Sequence, residues 1–275
     1  MKQKLTKHIL SALPQNTLSR TIGKAARSKF SKTLIKPYSK IYKINLDEIE
    51  KPLHEYQHMT DFFTRKLASN ARTISSDQHA IISPVDGTLS QFGHMTNGRI
   101  LQAKGISYTT EQLLGSKRDA QHFKQGTFFT LYLSPRDYHR IHMPIDGHIT
   151  HYTYIPGSLF PVNSIGVNEV NGLFTKNERL ISLCDTKVGK VAIVKVGAFI
   201  VGSVKVGYDR ITTNQKKASF HTQSLSSLPF YQKGEEVGLF EFGSTVILLF
   251  EHQLQLSDLL INDTIKMGQN LAFFH

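Results

Sequence analysis

The stretch EFGSTVILLF, Glu241–Phe250, sets a small polar triplet at the mouth of an apolar run. Val246 to Phe250 has the length and continuity of a buried strand. Gly243-Ser244-Thr245 leads directly into it, which is an unusual place for a glycine and two hydroxyls. Taken alone, the triplet reads as a turn or bulge whose hydroxyls satisfy local backbone groups. A serine after glycine is also a candidate nucleophile, but the GxSxG elbow of serine hydrolases is absent here.

Outward from that run, short segments rich in Val, Ile, Phe and Tyr alternate with Gly, Asn and Asp turns from about residue 74 onward. GTFFTLYLS, HITHYTYIPG and KVAIVKVG are examples. Their spacing predicts an α+β protein with a β-rich antiparallel catalytic domain over 73–275 and one helical interruption near TTEQLLG. LDEIEKPLHEYQHMTDFFTRKL, residues 46–67, reads as helical, with Thr60-Asp61 as a second start. The most apolar window, Val188 to Gly207, carries Lys190, Lys195 and Lys205 and reads as two or three strands. No segment is expected to span a membrane, and no secretory signal is apparent.

Of the net charge of +12, eleven Lys and Arg fall in residues 1–46, which hold no acidic residue. Leu5, Ile9 and Leu13, and after Pro14 Leu18, Ile22, Ala26, Phe30 and Leu34, recur at helical spacing among those cations. Residues 1–72 are therefore expected to form a basic helical region that lies on an anionic membrane surface. A nucleic-acid partner is not expected, because no recognition motif accompanies the charge. The single cysteine, Cys184, cannot form an internal disulfide, which favours a reducing compartment.

Three polar sites sit at strand edges. SPVDG places Asp86 in a turn; SPRDYHRIHMPIDG places His139 and His142 three apart, with Ser134-Pro135 capping a short helical turn. The third is Gly243-Ser244. Asp86, His142 and Ser244 have the residue types of a nucleophilic triad, and geometry rather than chain order would make them one. The HxxH pair supplies only two ligands and no Cys or Glu completes a set, so no metal is expected. Read this way, the chain could be a Ser/His/Asp or metal-dependent lipid hydrolase, or a noncatalytic membrane-binding module.

The blocks SPVDGTLSQFG, ILQAKGISYTTEQLLG, LYLSPRDYHRIHMPIDG, YIPGSLFPVN, NERLISL, VGAFIVGSV and KGEEVGLFEFGST resemble, in order, those of the short bacterial-type, pyruvoyl-dependent phosphatidylserine decarboxylases. YQHMTDFFTRKL is similar to the same family's upstream block. One departure is Phe242, where that family usually has leucine. The resemblance implies a proenzyme that cuts itself between Gly243 and Ser244 into a β chain, 1–243, and an α chain, 244–275. Ser244 would become the covalent pyruvoyl cofactor and Schiff-base site. Asp86 and His142 match the family's processing pair, and His139 the histidine of the decarboxylation step. The implied reaction converts phosphatidylserine to phosphatidylethanolamine in phospholipid biosynthesis, at the cytoplasmic face of the cell membrane, by a peripheral enzyme that is compatible with a homo-oligomer.

Overall fold

Strand Ser244–Phe250 lies inside the largest sheet, paired antiparallel with Thr127–Leu133 on one side and Gly189–Val196 on the other. In the computed structural model, which describes residues 15–103, 105–199, 203–241 and 243–275, that sheet has nine strands. Its spatial order is His221–Ser224, Gly147–Ile155, Arg179–Thr186, Gly189–Val196, Ser244–Phe250, Thr127–Leu133, Gly87–His94 and Thr264–Ile265, with Phe230–Tyr231 added along Gly147–Ile155. Its neighbours pair antiparallel throughout. The α+β architecture with an antiparallel, β-rich body is thus the one expected.

Both faces of this sheet are covered, which explains why the deciding run is continuously apolar rather than alternating. Val246, Leu248 and Phe250 enter one core cluster, and Ile247 and Leu249 the other, as the two-residue period of a strand requires. Two three-stranded sheets pack over the first face: Ala80–Ile82 with Asn270–Phe273 and Gln255–Leu256, and Val204–Val206 with Glu236–Phe240 and Arg140–His142. Short helices cover the second, among them Thr110–Leu114, Lys117–Ala120 and Leu173–Lys176. Each large apolar side chain buried there contributes roughly 1.5–3 kcal/mol. A group at the head of this strand therefore stands on a rigid element.

The helix at TTEQLLG begins in a capping box between Thr109 and Gln112 and ends at Gly115, whose φ of 64° suits glycine. Ser164–Glu169 and Leu173–Lys176 are further helices that the strand-and-turn texture did not suggest. Little of the helical pattern expected from Asp47 to about Arg72, with its second start at Thr60-Asp61, forms. Only a 3-10 turn, Leu53–Glu55, and a five-residue helix, Met59–Phe63, form there. Ile49 instead bridges to Leu67, and His58, not Thr60, caps the helix by accepting from the Asp61 N–H. Tertiary pairing has overridden local propensity.

Of the two expected N-terminal helices, the first, with Leu5, Ile9 and Leu13, lies outside the described residues, as does Phe242. The second appears as Gln15–Ala26, followed by a 3-10 segment Lys29–Leu34 and a helix Ile35–Ile41. Helix Gln15–Ala26 docks through Gln15, Ser19, Gly23 and Ala26, leaving Leu18 outward. Phe30 is 88% exposed, Leu34 56% and Ile41 73%. Ala26, Ile35, Ile44, Tyr56, Met59 and Phe62 form a small third core under these elements. No helix among the described residues is long and apolar enough to cross a membrane.

Candidate active site

Strand register gathers the sequence-predicted residues at one end of the large sheet. Leu133 stands opposite Ser244, and Tyr132 stands opposite Thr88. The chain leaves Leu133 into the SPRDYH turn and joins the neighbouring strand from Asp86, so Asp86, the histidine loop and Ser244 share that edge. Gly87 is required by close approach, since a Cβ there would lie 2.5 Å from the Tyr132 carbonyl oxygen.

Ser244 is fully buried and its Oγ has no hydrogen-bond partner among the described residues. A buried hydroxyl left unpaired costs about 1–3 kcal/mol, so this serine is maintained against stability. Gly243 differs from Gly87: a Cβ on it would meet only the Leu133 carbonyl oxygen, at 3.6 Å. Packing does not demand glycine beside the serine. Gly243 borders an apolar cavity of about 360 Å³ whose lining includes Phe63, Pro161, Val162, Ala198 and Phe199.

Asp86 is buried, and its carboxylate accepts from Arg72 through both oxygens and from the Met267 N–H at 2.8 Å. Lys266 approaches to 3.5 Å, and Arg72 also binds Glu48 at 2.8 Å. Burial pushes the Asp86 carboxyl up, but Arg72, the Met267 amide and Lys266 outweigh it and hold it below the usual carboxylate range. Asp86 is therefore an anchored anion at neutral pH. Its orienting partner is Arg72; no hydrogen bond joins it to His142.

His142 ends strand Arg140–His142, where its Nδ1 faces the Gly234 carbonyl at 2.8 Å and its Nε2 faces the Tyr138 hydroxyl at 3.0 Å. A carbonyl only accepts, so Nδ1 carries the proton and Tyr138 donates to Nε2. Both nitrogens are occupied. Burial lowers the His142 pKa, against the opposing pull of the Gly234 carbonyl, Glu236 and Asp86.

The segment before it is a turn rather than the expected helical one. Asp137 N–H donates to the Ser134 carbonyl, and the Asp137 carboxylate accepts from Ser134 N–H and Oγ, both at 2.7 Å. His139 directly precedes the extended strand Arg140–His142, so no helical face is there to bring it and His142 together. His139 is fully buried, its ring packs against Phe63 with centroids 4.1 Å apart and planes tilted by 47°, and its Nδ1 donates to the Asp137 carbonyl at 2.8 Å. Its Nε2 has no hydrogen-bond partner among the described residues. Burial, followed by the Arg65 charge, pushes its pKa down to about 3, so the ring is neutral with a bare nitrogen.

Several neighbours escaped the sequence reading although they lie inside the quoted blocks or close to them. Tyr138 holds His142, and Arg72 holds Asp86. Glu241, two residues before Gly243, is buried and binds Arg27, Lys205 and Ser203. At the other end of the helix that precedes Arg27, Asn16 donates to the Gly157 carbonyl and Gln15 accepts from Leu159 N–H. Helix Gln15–Ala26 thus spans from the YIPGSLFPVN loop to the residues before Ser244. Cys184 is buried, which pushes its thiol up to about 12 and leaves it an inert core residue.

A family model described as phosphatidylserine decarboxylase matches residues 59–273. The chain is 46% identical over 276 residues to a phosphatidylserine decarboxylase proenzyme of Brevibacillus brevis, covering 99% of each. It is 43% identical to the Myxococcus xanthus protein of the same name, over 88% of each chain. With the Acinetobacter baylyi one it shares 40% identity, over 95% of this chain and 93% of that protein.

Proposed function

The chain belongs to the phosphatidylserine decarboxylase family, and on that premise we propose that it is a proenzyme which cuts itself at Gly243–Ser244 and makes its own pyruvoyl group there. The observation that carries this reading is the buried, unpartnered Ser244 hydroxyl at the head of a rigid strand, directly after a glycine that packing does not require.

Ser244 Oγ attacks the Gly243 carbonyl carbon as a base removes its proton, and the C–N bond breaks to leave an ester. Loss of the Ser244 Cα proton then expels the Gly243 carboxylate and leaves dehydroalanine. Water adds to it, ammonia departs, and a β chain 1–243 and an α chain 244–275 result. The site fits the product: the position is water-excluded and apolar on the Gly243 side. The pyruvoyl group would supply an electron sink for loss of carbon dioxide from the serine headgroup of phosphatidylserine. The enzyme thereby yields phosphatidylethanolamine.

By family resemblance, His142 is the base for cutting, Asp86 supports it, and His139 handles the proton of decarboxylation. His142 can serve only if Tyr138 releases Nε2. One observation favours a second assignment, in which His139 is the base for cutting: its Nε2 is the bare one. Intact mass of purified variants separates the two. Under the first assignment His142→Ala remains a single chain of about 31 kDa and His139→Ala divides but is inactive. The reverse pattern supports the second, and two normally divided variants would remove both histidines from processing. A wild-type chain that stays whole and still hydrolyses phospholipid would restore the hydrolase alternative.

The exposed Phe30, Leu34 and Ile41, interleaved with Lys29, Lys36 and Lys40, support peripheral docking on an anionic bilayer. Such a surface suits the cytoplasmic leaflet and brings the anionic substrate to the enzyme. We expect sedimentation with phosphatidylserine vesicles to fall several-fold between low and roughly 0.5 M salt, where screening shortens to a few ångströms, and again in Phe30→Ser. Binding indifferent to salt and to deletion of residues 1–36 would sink the docking idea.

A further inference from the structure

The geometry points to Arg65 as a positioning residue that sets the tautomer and ring plane of His139. The Asp137 carbonyl accepts from Arg65 Nη2 at 3.1 Å and from His139 Nδ1 at 2.8 Å. The same Nη2 also reaches the Arg136 carbonyl at 2.8 Å. A carbonyl oxygen has two lone pairs, and with the guanidinium on one, the other is aimed at the imidazole. That acceptor draws the His139 proton to Nδ1 and leaves Nε2 bare.

The segment that carries Arg65 also sets the plane of the ring. Phe63, two residues earlier, packs at a 47° tilt against the His139 ring, while the carbonyl of the intervening Thr64 accepts from Arg140 Nε at 3.0 Å. Met59–Phe63 and its extension are thereby tied to His139 and to the residue after it. Stability alone gives no reason for an arginine here. Arg65 is buried with no carboxylate in ion-pair range among the described residues, and its Nε and Nη1 have no hydrogen-bond partner. Part of its charge rests on the Phe62 ring, 5.3 Å from the centroid. Burying a cation without a counter-ion is costly, yet this one is spent on two carbonyls of the histidine turn.

The kinetic consequence rests on the reading that His139 handles a proton in decarboxylation; the tautomer does not. Nitrogen-15 NMR of the full-length protein with labelled histidine tests it directly, with His139→Gln identifying the resonances. Wild type is expected to show His139 with a bare Nε2. Arg65→Lys should shift it partly, and Arg65→Gln further, towards the Nε2–H form. The same series should lower kcat by roughly tenfold for Arg65→Gln, a fraction of the roughly 10²–10⁴ that a placed acid–base group contributes, with KM changed less than about twofold and partial rescue in Arg65→Lys. An unchanged His139 spectrum in either folded variant overturns the proposal. A shifted tautomer with unaltered kcat upholds the positioning and removes His139 from the chemistry. If Arg65→Gln does not fold, Arg65→Lys decides alone, because one ammonium cannot reproduce a planar fork.

Discussion

Replacing Ser244 with alanine is expected to leave a single chain of about 31 kDa that neither divides nor decarboxylates. It should nonetheless be at least as stable as the uncut wild-type chain. The two halves of that expectation have separate physical causes. The hydroxyl is the only nucleophile this position has, so its loss removes the first bond-making step. The same hydroxyl, fully buried, has no hydrogen-bond partner among the described residues, so its loss also removes an unpaired polar group whose burial costs about 1–3 kcal/mol. Alanine fills nearly the same volume, and the strand pairs to Leu133 and beyond do not involve the side chain. Intact mass spectrometry, phosphatidylethanolamine formation and thermal denaturation together check it. A divided Ser244→Ala chain, or one that melts far below wild type, would show that the serine is structural.

Removing the Asp86 carboxylate should produce the opposite combination, a large loss of stability together with loss of processing. Asp86→Ala leaves Arg72 buried with only the partly exposed Glu48 as counter-ion. Breaking one side of such a pair typically costs about 3–5 kcal/mol. The sign with pH follows from the direction of the shift. Burial raises the Asp86 pKa, but its bonds from Arg72 and Met267 lower it further, to a net value below the usual carboxylate range. Unfolding therefore takes up a proton in acid. The contribution is fully present above about pH 4, the ordinary carboxylate value, and is lost as pH falls through the depressed native value. Melting curves from pH 7 to pH 3, on the Ser244→Ala background so that cutting does not intervene, should decline more steeply in acid when Asp86 is present than in the Asp86→Asn variant. Equal slopes would mean that Asp86 is not the titrating anchor.

Much of this site was legible because its chemistry is local in the chain. Ser244 followed a glycine at the head of an apolar run, and the two histidines stood in one short block. Several side-chain partners were not legible because they are distant in the chain: Asp86 with Arg72 and Met267, His142 with Gly234, Glu241 with Arg27. The helical turn expected after Ser134-Pro135 failed for a similar reason. A spacing of three, as between His139 and His142, means one face only on a helix, and strand Arg140–His142 is drawn into extended form by pairing with Glu236–Phe240. The residues from Asp47 to Arg72 carried helical periodicity, yet the Ile49–Leu67 bridge and burial of Phe62 and Phe63 divided them.

By itself the sequence determined the family, the β-rich class and the placement of charge at the N-terminus, and singled out Ser244 as the candidate, because each rests on residue types and order along the chain. Only the tertiary structure decided which imidazole nitrogen is free, which arginine holds Asp86, and which face of helix Gln15–Ala26 turns inward. Those outcomes depend on hydrogen-bond partners and burial supplied by segments up to 181 residues away, as between Asp86 and Met267.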